Sequence, residues 1–252
     1  MQNTVLSLTY RLSRFRHIVT TALIRNCVMI AAMAVLCTTL GQPLTQPWAQ
    51  PLAAAEADAP IKIAAFGDSL SAGFQLSPDQ AFPAQLDRAL KAKGHKVEVF
   101  NAAVSGDTTA AGLDRLAWAV PEDTDAVIVE LGANDALRGL DTKAARANLD
   151  AIITRLKAQK ADVLLAGMKA PRNLGAPYVD AFDAIFPELA AKHGVLLYPF
   201  FAEKIALKAE LNLADGMHPT AKGVAEIVAD ILPKVEALIG QVKARRAARA
   251  KG

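Results

Sequence analysis

Gly67-Asp68-Ser69-Leu70-Ser71-Ala72-Gly73 is the stretch that decides the fold, because it directly follows the apolar run Ile61-Lys62-Ile63-Ala64-Ala65-Phe66. The run has the composition of a strand, and the glycines that flank the serine favour a tight turn. Such a turn at the carboxyl end of a strand lifts a hydroxyl clear of the sheet and leaves backbone N–H groups free beside it. Alone, the stretch also fits any glycine-rich turn of an α/β protein.

The rest of the chain alternates between strand-like and helix-like segments. Short apolar runs rich in β-forming residues lie at 61–66, 97–103, 126–131, 163–166 and 195–200. Between them apolar residues recur every three or four positions, most clearly at Val224, Ile227, Val228 and Ile231. This alternation predicts an α/β fold, with a five-stranded parallel sheet covered by helices on both faces. The sequence indicates neither an internal repeat nor a second domain.

Four residues suited to chemistry are expected at one edge of this sheet. Sites in an open parallel sheet form at the carboxyl ends of the strands. Ser69 follows the first predicted strand, Gly106 the second and Asn134 the third, while His218 comes after the fifth and before the last helix. The remaining histidines lie near the N-terminus or in turns that lead into strands, at the opposite edge: His17, His95 and His193.

His218 and Asp215 are placed to activate the Ser69 hydroxyl. A serine becomes a nucleophile when a neutral imidazole accepts its proton, and a carboxylate on the other ring nitrogen fixes the imidazole tautomer. Asp215 lies three residues before His218, and Pro219 restricts His218 to an extended backbone. The sequence therefore predicts a catalytic Ser69–His218–Asp215 arrangement, although Asp-Gly-Met-His-Pro alone also suits an ordinary polar loop.

An oxyanion formed at an attacked carbonyl needs converging hydrogen-bond donors. We expect these donors to be the N–H of Ser69, the N–H of Gly106 and the side-chain amide of Asn134. Gly106 lacks a side chain and would let a substrate approach closely. Taken singly, Gly106 and Asn134 also fit simple turn positions.

The four segments together resemble the SGNH (GDSL-type) hydrolases. The matching blocks, in order, are Gly67-Asp68-Ser69-Leu70-Ser71, Gly106, Gly132-Ala133-Asn134-Asp135 and Asp215-Gly216-Met217-His218-Pro219. The likeness is strongest to the secreted thioesterase I, lysophospholipase and arylesterase group. It implies a flavodoxin-like three-layer α/β/α fold over residues 56–242, hydrolysis of acyl esters and thioesters, and the roles assigned above to the serine, glycine, asparagine and histidine. It implies neither a cofactor nor a metal.

Two features depart from the common pattern or extend it. The third block reads Gly-Ala-Asn-Asp where Gly-Gly-Asn-Asp is common, and the added methyl group would narrow the site without removing a donor. Leu137, Leu140 and Pro171 lie on predicted loops beside the site and are expected to contact the acyl chain of a small-molecule substrate. Glu130, inside a run typical of a buried strand, receives no role from the sequence.

The two ends of the chain differ from the predicted domain. Residues 1–55 contain arginines, no acidic residue and an apolar run, followed by Ala53-Ala54-Ala55. This layout predicts a signal peptide cleaved after Ala55, a periplasmic or secreted enzyme, and no membrane insertion after cleavage. Both cysteines, Cys27 and Cys37, lie in this leader.

Charge gives little support for a nucleic-acid partner. Without the leader, 24 basic residues stand against 25 acidic ones. The last ten residues, 243–252, carry five cations without an interleaved aromatic residue, so we interpret them as a solvated, frayed helix end. We expect the mature protein to be a monomer.

The sequence leaves three alternatives open. A phosphate-binding module would use the glycine-rich turn, but the turn has no P-loop lysine and this reading leaves His218 without a role. A metal-dependent hydrolase would use a set of acids with the histidine: Asp68, Asp107, Asp135, Asp215 and His218. Within the hydrolase reading, a carbohydrate O-deacetylase is the main competitor, although aromatic residues make up only 6% of the chain.

Overall fold

A computed structural model describes residues 59–250 of the chain. The predicted signal peptide, residues 1–55, lies outside the described residues. Within the described part, no helix is both long enough and apolar enough to cross a membrane.

The predicted five-stranded parallel sheet is confirmed. Its strand order is β2-β1-β3-β4-β5, and every neighbouring pair is parallel. The strands are β1 (Ile61–Gly67), β2 (Val97–Asn101), β3 (Ala126–Glu130), β4 (Asp162–Ala166) and β5 (Leu196–Tyr198). β2 and β5 are shorter than the predicted runs, and both are edge strands with a single neighbour.

Helices cover the sheet on both faces and complete a three-layer α/β/α fold. The helices are α1 (Ser69–Ala72), α2 (Phe82–Ala92), α3 (Thr109–Ala119), α4 (Ala133–Leu137), α5 (Thr142–Ala158), α6 (Ala176–Asp183), α7 (Ile185–His193) and α8 (Ala221–Arg249). α2 packs against α8 on one face, while α5 packs against α3 and α7 on the other. The core lies between these layers and the sheet.

The central strands are apolar because both of their faces are covered. All five residues of β3 are buried, and β1 and β4 are buried almost throughout. This explains why these strands form continuous apolar runs instead of alternating with polar residues. Glu130, at the end of β3, is buried as well, although it is the one residue of that strand that is not apolar.

The last turns of the final helix pack against the domain, and the prediction of a solvated, frayed helix end is wrong for two of its arginines. α8 extends to Arg249. The guanidinium of Arg246 lies 2.6 Å from the Asp125 carboxylate and donates to the carbonyl oxygen of Ala59 at 2.7 Å. Arg245 donates to the Asp162 carboxylate at 3.0 Å. These arginines hold the last turns of α8 against the amino-terminal edge of the sheet.

Candidate active site

The Ser69 turn, residues 67–73, crosses from β1 into the short helix α1. The Asp68 carboxylate accepts a hydrogen bond from the N–H of Leu70 and so caps this helix. Gly73 ends it with φ of 84°, a conformation that glycine adopts without strain. This tight turn presents Ser69 at the carboxyl edge of the sheet, as the sequence predicts.

Ser69, His218 and Asp215 are joined in one hydrogen-bonded series. Nε2 of His218 lies 2.9 Å from Oγ of Ser69, and Nδ1 of His218 lies 2.7 Å from Oδ2 of Asp215. The other Asp215 oxygen accepts from the backbone N–H groups of Met217 and His218 at 2.9 and 3.0 Å. These backbone bonds, together with the bond to the imidazole, lower the pKa of Asp215 to about 2. The carboxylate therefore stays ionised beside His218 at neutral pH.

Several contacts fix the loop that carries His218. The carbonyl oxygen of His218 accepts from the N–H of Leu213 at 2.7 Å, and the side chain of Thr220 caps α8 through the N–H of Gly223. The Phe74 ring lies against the imidazole, with 4.3 Å between ring centroids. The imidazole is thus held on one side by a carboxylate and on another by an aromatic ring.

Asn134 is oriented by the residue that precedes Ser69. Its side-chain Nδ2 donates to Oδ2 of Asp68 at 3.1 Å. Asp68 is fully buried, and this burial raises its pKa to about 6, against the opposing effect of its hydrogen bonds. At neutral pH Asp68 is a carboxylate that fixes both α1 and the amide of Asn134. The same contact fixes the orientation of the whole amide group, including its second N–H.

Gly106 lies in a turn closed by a hydrogen bond from Asp107 N–H to the Val104 carbonyl, with φ of 87°. Glycine suits this position because an L side chain would be strained there. Arg138, which directly follows α4, donates to the carbonyl oxygen of Gly106 at 3.0 Å. This bond links the turn to the segment that carries Asn134.

A cavity of about 550 Å³ opens beside the hydroxyl of Ser69. Ser69, Asn134 and His218 line it, and so do Leu137 and Pro171, two of the three predicted substrate contacts. Leu140, the third, is not among the lining residues: its carbonyl accepts from the Tyr178 hydroxyl at 2.9 Å, and its side chain is exposed. Gly106 does not line the cavity either.

Sequence reasoning missed much of the apolar wall of this cavity. The additional wall residues include Met168, Phe200, Ile205, Leu207 and Met217. Phe200, Ile205 and Leu207 belong to the irregular segment after β5, where neither helix nor strand periodicity marks an inward face. No signal in the sequence distinguishes these residues from other loop residues.

The acids considered as metal ligands are occupied by separate partners. Asp107 forms a buried ion pair with Arg115, and Asp135 accepts from the N–H and hydroxyl of Thr109 at 2.8 and 2.6 Å. Asp68 is bound to Leu70 and Asn134, as described above. Between residues 59 and 250 no group of three or more His, Cys, Asp or Glu is arranged to hold a metal ion. Asp68, Asp107 and Asp135 therefore each bind their own partners and do not converge on a common metal site.

Arg115 is a further residue that the sequence did not single out. Its guanidinium is buried and donates to the carbonyl oxygens of Ala102 and Gly67 at 2.5 and 3.0 Å, in addition to its ion pair with Asp107. It also lies over the Phe66 ring, 4.3 Å from the centroid. Arg115 thereby ties the ends of β1 and β2 together beneath the site.

Comparisons with known proteins agree with this geometry. Residues 65–225 match the family model of the GDSL-like lipase/acylhydrolases. The chain is 41% identical over 184 residues to an arylesterase of Vibrio mimicus, covering 71% of this chain and 92% of that protein. It is 40% identical over 169 residues to the thioesterase 1/protease 1/lysophospholipase L1 of Escherichia coli K12, covering 67% and 79%.

A solved structure supports the same assignment. The crystal structure of AlinE4, an SGNH-hydrolase family esterase, is similar with a TM-score of 0.60 and 46% identity. The match covers 71% of this chain and 96% of that one. The four sequence blocks named above all fall within residues 65–225, the part of the chain that the family model matches. The chain therefore belongs to the GDSL-like lipase/acylhydrolase family.

Proposed function

We propose that the protein is a serine carboxylic ester hydrolase that cleaves acyl esters and thioesters through an acyl-enzyme. The observation that carries this proposal is the series Ser69 Oγ, His218 Nε2, His218 Nδ1 and Asp215 Oδ2, with separations of 2.9 and 2.7 Å across its two hydrogen bonds. A nucleophile, a base and a carboxylate at these distances are the groups that acyl transfer needs.

The first half of the reaction forms the acyl-enzyme. Ser69 Oγ attacks the carbonyl carbon while His218 Nε2 takes the hydroxyl proton, and Asp215 stabilises the resulting imidazolium. The negative charge on the carbonyl oxygen would be met by the N–H of Ser69 and the amide of Asn134, both of which line the cavity, and by the N–H of Gly106, the third donor expected from the sequence. The bond to the leaving group then breaks, and His218 returns the proton to the departing alcohol or thiol.

The second half releases the acid. Water attacks the acyl-enzyme carbonyl, His218 accepts one proton of that water, and the oxyanion forms again at the same donors. Collapse of this intermediate breaks the bond to Ser69 Oγ, which recovers its proton from His218. The products are a carboxylic acid and the free enzyme.

The cavity favours an acyl chain as the group beside the nucleophile. Apolar side chains form much of its wall, including Leu137, Met168 and Ile205. Burying methylene groups there contributes roughly 0.8 kcal/mol for each group. The named relatives are an arylesterase and a thioesterase/lysophospholipase, which supports small acyl esters and thioesters as the substrate class.

A carbohydrate O-deacetylase is less well supported. Sugar sites use aromatic rings as platforms, and among the described wall residues Phe200 is the one phenyl, phenol or indole side chain. We therefore keep deacetylation as the alternative that the substrate assay must separate from long-chain hydrolysis.

The proposal includes export and a monomeric mature enzyme. Residues 1–55 have the layout of a signal peptide, and cleavage after Ala55 would release the hydrolase domain to the periplasm or medium. N-terminal sequencing of the exported protein tests this: a start near Glu56 supports it, and retention of residues 27–40 contradicts it.

The function is tested by inhibition and by a substrate series. A serine-directed organophosphonate should abolish hydrolysis and add one phosphonyl group per chain by mass spectrometry, while a chelator should leave the rate unchanged. p-Nitrophenyl esters of two to twelve carbons, acyl-CoA thioesters and acetylated sugars then define the substrate. Loss of activity with the chelator alone would contradict the proposal.

A further inference from the structure

A carboxyl group without a role in this reaction lies under the Ser69 turn. Glu130 ends β3, has an exposed fraction of 0%, and pairs with Gly67 of β1 and Ala166 of β4. The four residues before it in β3 are apolar and buried. A carboxyl group in this position costs free energy unless it is neutral or well paired, so a compensating role is expected.

One oxygen of Glu130 receives two hydrogen bonds from the Ser69 turn. Oε2 accepts from the hydroxyl of Ser71 at 2.8 Å and from the backbone N–H of Asp68 at 3.3 Å. Asp68 immediately precedes Ser69, and Ser71 follows it by two residues. Oε1 has no hydrogen-bond partner among the described residues. Glu130 thus holds the turn on both sides of the proposed nucleophile.

Gly67 leaves room for this carboxyl group because it has no side chain. A Cβ atom at Gly67 would lie 2.5 Å from Oε2 of Glu130 and 2.7 Å from its backbone oxygen. Gly67 does not have a positive φ. The first glycine of the stretch is therefore required by the space that Glu130 occupies, and not by its backbone conformation.

The surroundings of Glu130 favour the neutral form of its carboxyl group. Burial raises the pKa of Glu130 well above its usual range, and the negative charge of Asp68 raises it further. Both donors converge on Oε2, which can accept these two hydrogen bonds in the neutral form of the carboxyl group as well. A neutral Glu130 places no second negative charge against the Asp68 carboxylate that orients Asn134.

We propose that Glu130 is a positioning residue for acyl transfer, which fixes the Ser69 turn through Asp68 N–H and the Ser71 hydroxyl so that Ser69 Oγ stays aligned with His218. The inference rests on the proposed esterase function, although Glu130 itself touches no substrate. Small displacements of a nucleophile lower the rate of the chemical step far more than they lower substrate binding.

Three variants and one control test this role. Glu130→Leu keeps the volume and removes the acceptor, Glu130→Gln keeps a neutral acceptor of the same shape, and Ser71→Ala removes one donor. Val129→Ala, in the same buried strand, removes apolar volume but no hydrogen-bonding group and serves as the control for lost packing. For each, kcat and KM on a short p-nitrophenyl ester, the rate of phosphonate labelling and the melting temperature are measured.

The positioning role predicts a distinctive set of results. Glu130→Leu should lower kcat and the labelling rate by about 100-fold with KM changed by less than about threefold. Glu130→Gln should restore kcat to within about threefold of wild type. Ser71→Ala should lower kcat by about three- to tenfold, and it remains informative if Glu130→Leu does not fold. Val129→Ala should lower the melting temperature and leave kcat near wild type.

Other results would overturn the inference. A wild-type kcat in Glu130→Leu or in Ser71→Ala contradicts it, and so does a loss in Glu130→Gln as large as that in Glu130→Leu. A kcat that follows the melting temperature across all four variants would show that Glu130 only contributes stability. If Ser69→Ala retains activity in the same assay, the proposed function itself fails, which distinguishes the two cases.

Discussion

Nε2 of His218 lies 2.9 Å from Oγ of Ser69, although 149 positions of sequence separate the two residues. The fold brings them together because Ser69 follows β1, which is central in the sheet, while His218 precedes α8, which packs on one face of it. Each residue is also fixed locally, Ser69 by the cap from Asp68 and His218 by the bonds to Asp215. The contact between Ser69 and His218 is therefore supported by fixed local structure on both sides.

Asn134→Ala should lower kcat by about 10²- to 10³-fold with little change in KM, because one oxyanion donor is removed. Asn134→Asp, which places a negative charge beside the oxyanion, should cost more than the alanine variant. Steady-state kinetics on one activated ester measures both effects. An increase in KM at unchanged kcat would identify Asn134 as a substrate-binding residue instead.

Leu137→Ala should weaken the preference for long acyl chains, because Leu137 lines the cavity. Loss of its contacts should lower kcat/KM for eight- to twelve-carbon esters by about three- to tenfold and leave acetyl esters within about twofold. Leu140→Ala is the matched control, since Leu140 belongs to the same segment but does not line the cavity. Equal effects of the two variants at every chain length would refute a specific acyl contact.

Glu130→Gln should change how stability depends on pH. In wild type the pKa of Glu130 is raised above its ordinary value of 4.5 by burial, so the folded state keeps a proton that the unfolded state has lost. The contribution of Glu130 to wild-type stability then falls as pH rises above about 4.5, by up to about 1.4 kcal/mol per pH unit for this one proton. Glutamine does not titrate and lacks this contribution.

The measurement is the free energy of unfolding of Glu130→Gln and wild type by urea titration between pH 4 and pH 8. The variant should gain stability relative to wild type as pH rises. A constant difference over this range would mean that Glu130 is ionised in the folded protein, against the neutral form inferred above.

Arg246→Ala should destabilise the protein without affecting catalysis. Its guanidinium is largely buried against Asp125, so removal leaves a carboxylate without that partner and should cost about 2–4 kcal/mol of unfolding free energy. Arg249→Ala, an exposed position on the same helix, should change stability by less than about 0.5 kcal/mol. Similar melting temperatures for the two variants would contradict this stabilising role and support a solvated helix end instead.

Sequence alone was sufficient for the sheet and for the position of Ser69, Asn134 and His218, because parallel strands produce apolar runs that end at one edge. The same reasoning could not place Leu140 outside the cavity, since its backbone is held by a hydrogen bond from Tyr178, which lies 38 positions away in the sequence. It also could not find the partners of Arg246, because the contact with Asp125 joins residues 121 positions apart.

Glu130 shows a different limit of sequence reasoning. A glutamate in an apolar run conflicts with the burial expected there, and the conflict itself marks the position. The role proposed for Glu130 depends on two hydrogen-bond donors in the Ser69 turn and on the absence of a side chain at Gly67. These contacts are visible only once β1 and β3 are placed side by side.

The most direct test concerns Ser69 as the nucleophile. Ser69→Ala should lower kcat/KM on a p-nitrophenyl ester by about 10⁴-fold or more and abolish phosphonate labelling, while circular dichroism stays that of wild type. Ser77→Ala, at an exposed serine whose hydroxyl donates to the Asp79 carboxylate, should behave as wild type in both assays. Retention of a tenth of the wild-type kcat/KM by folded Ser69→Ala would contradict the serine mechanism.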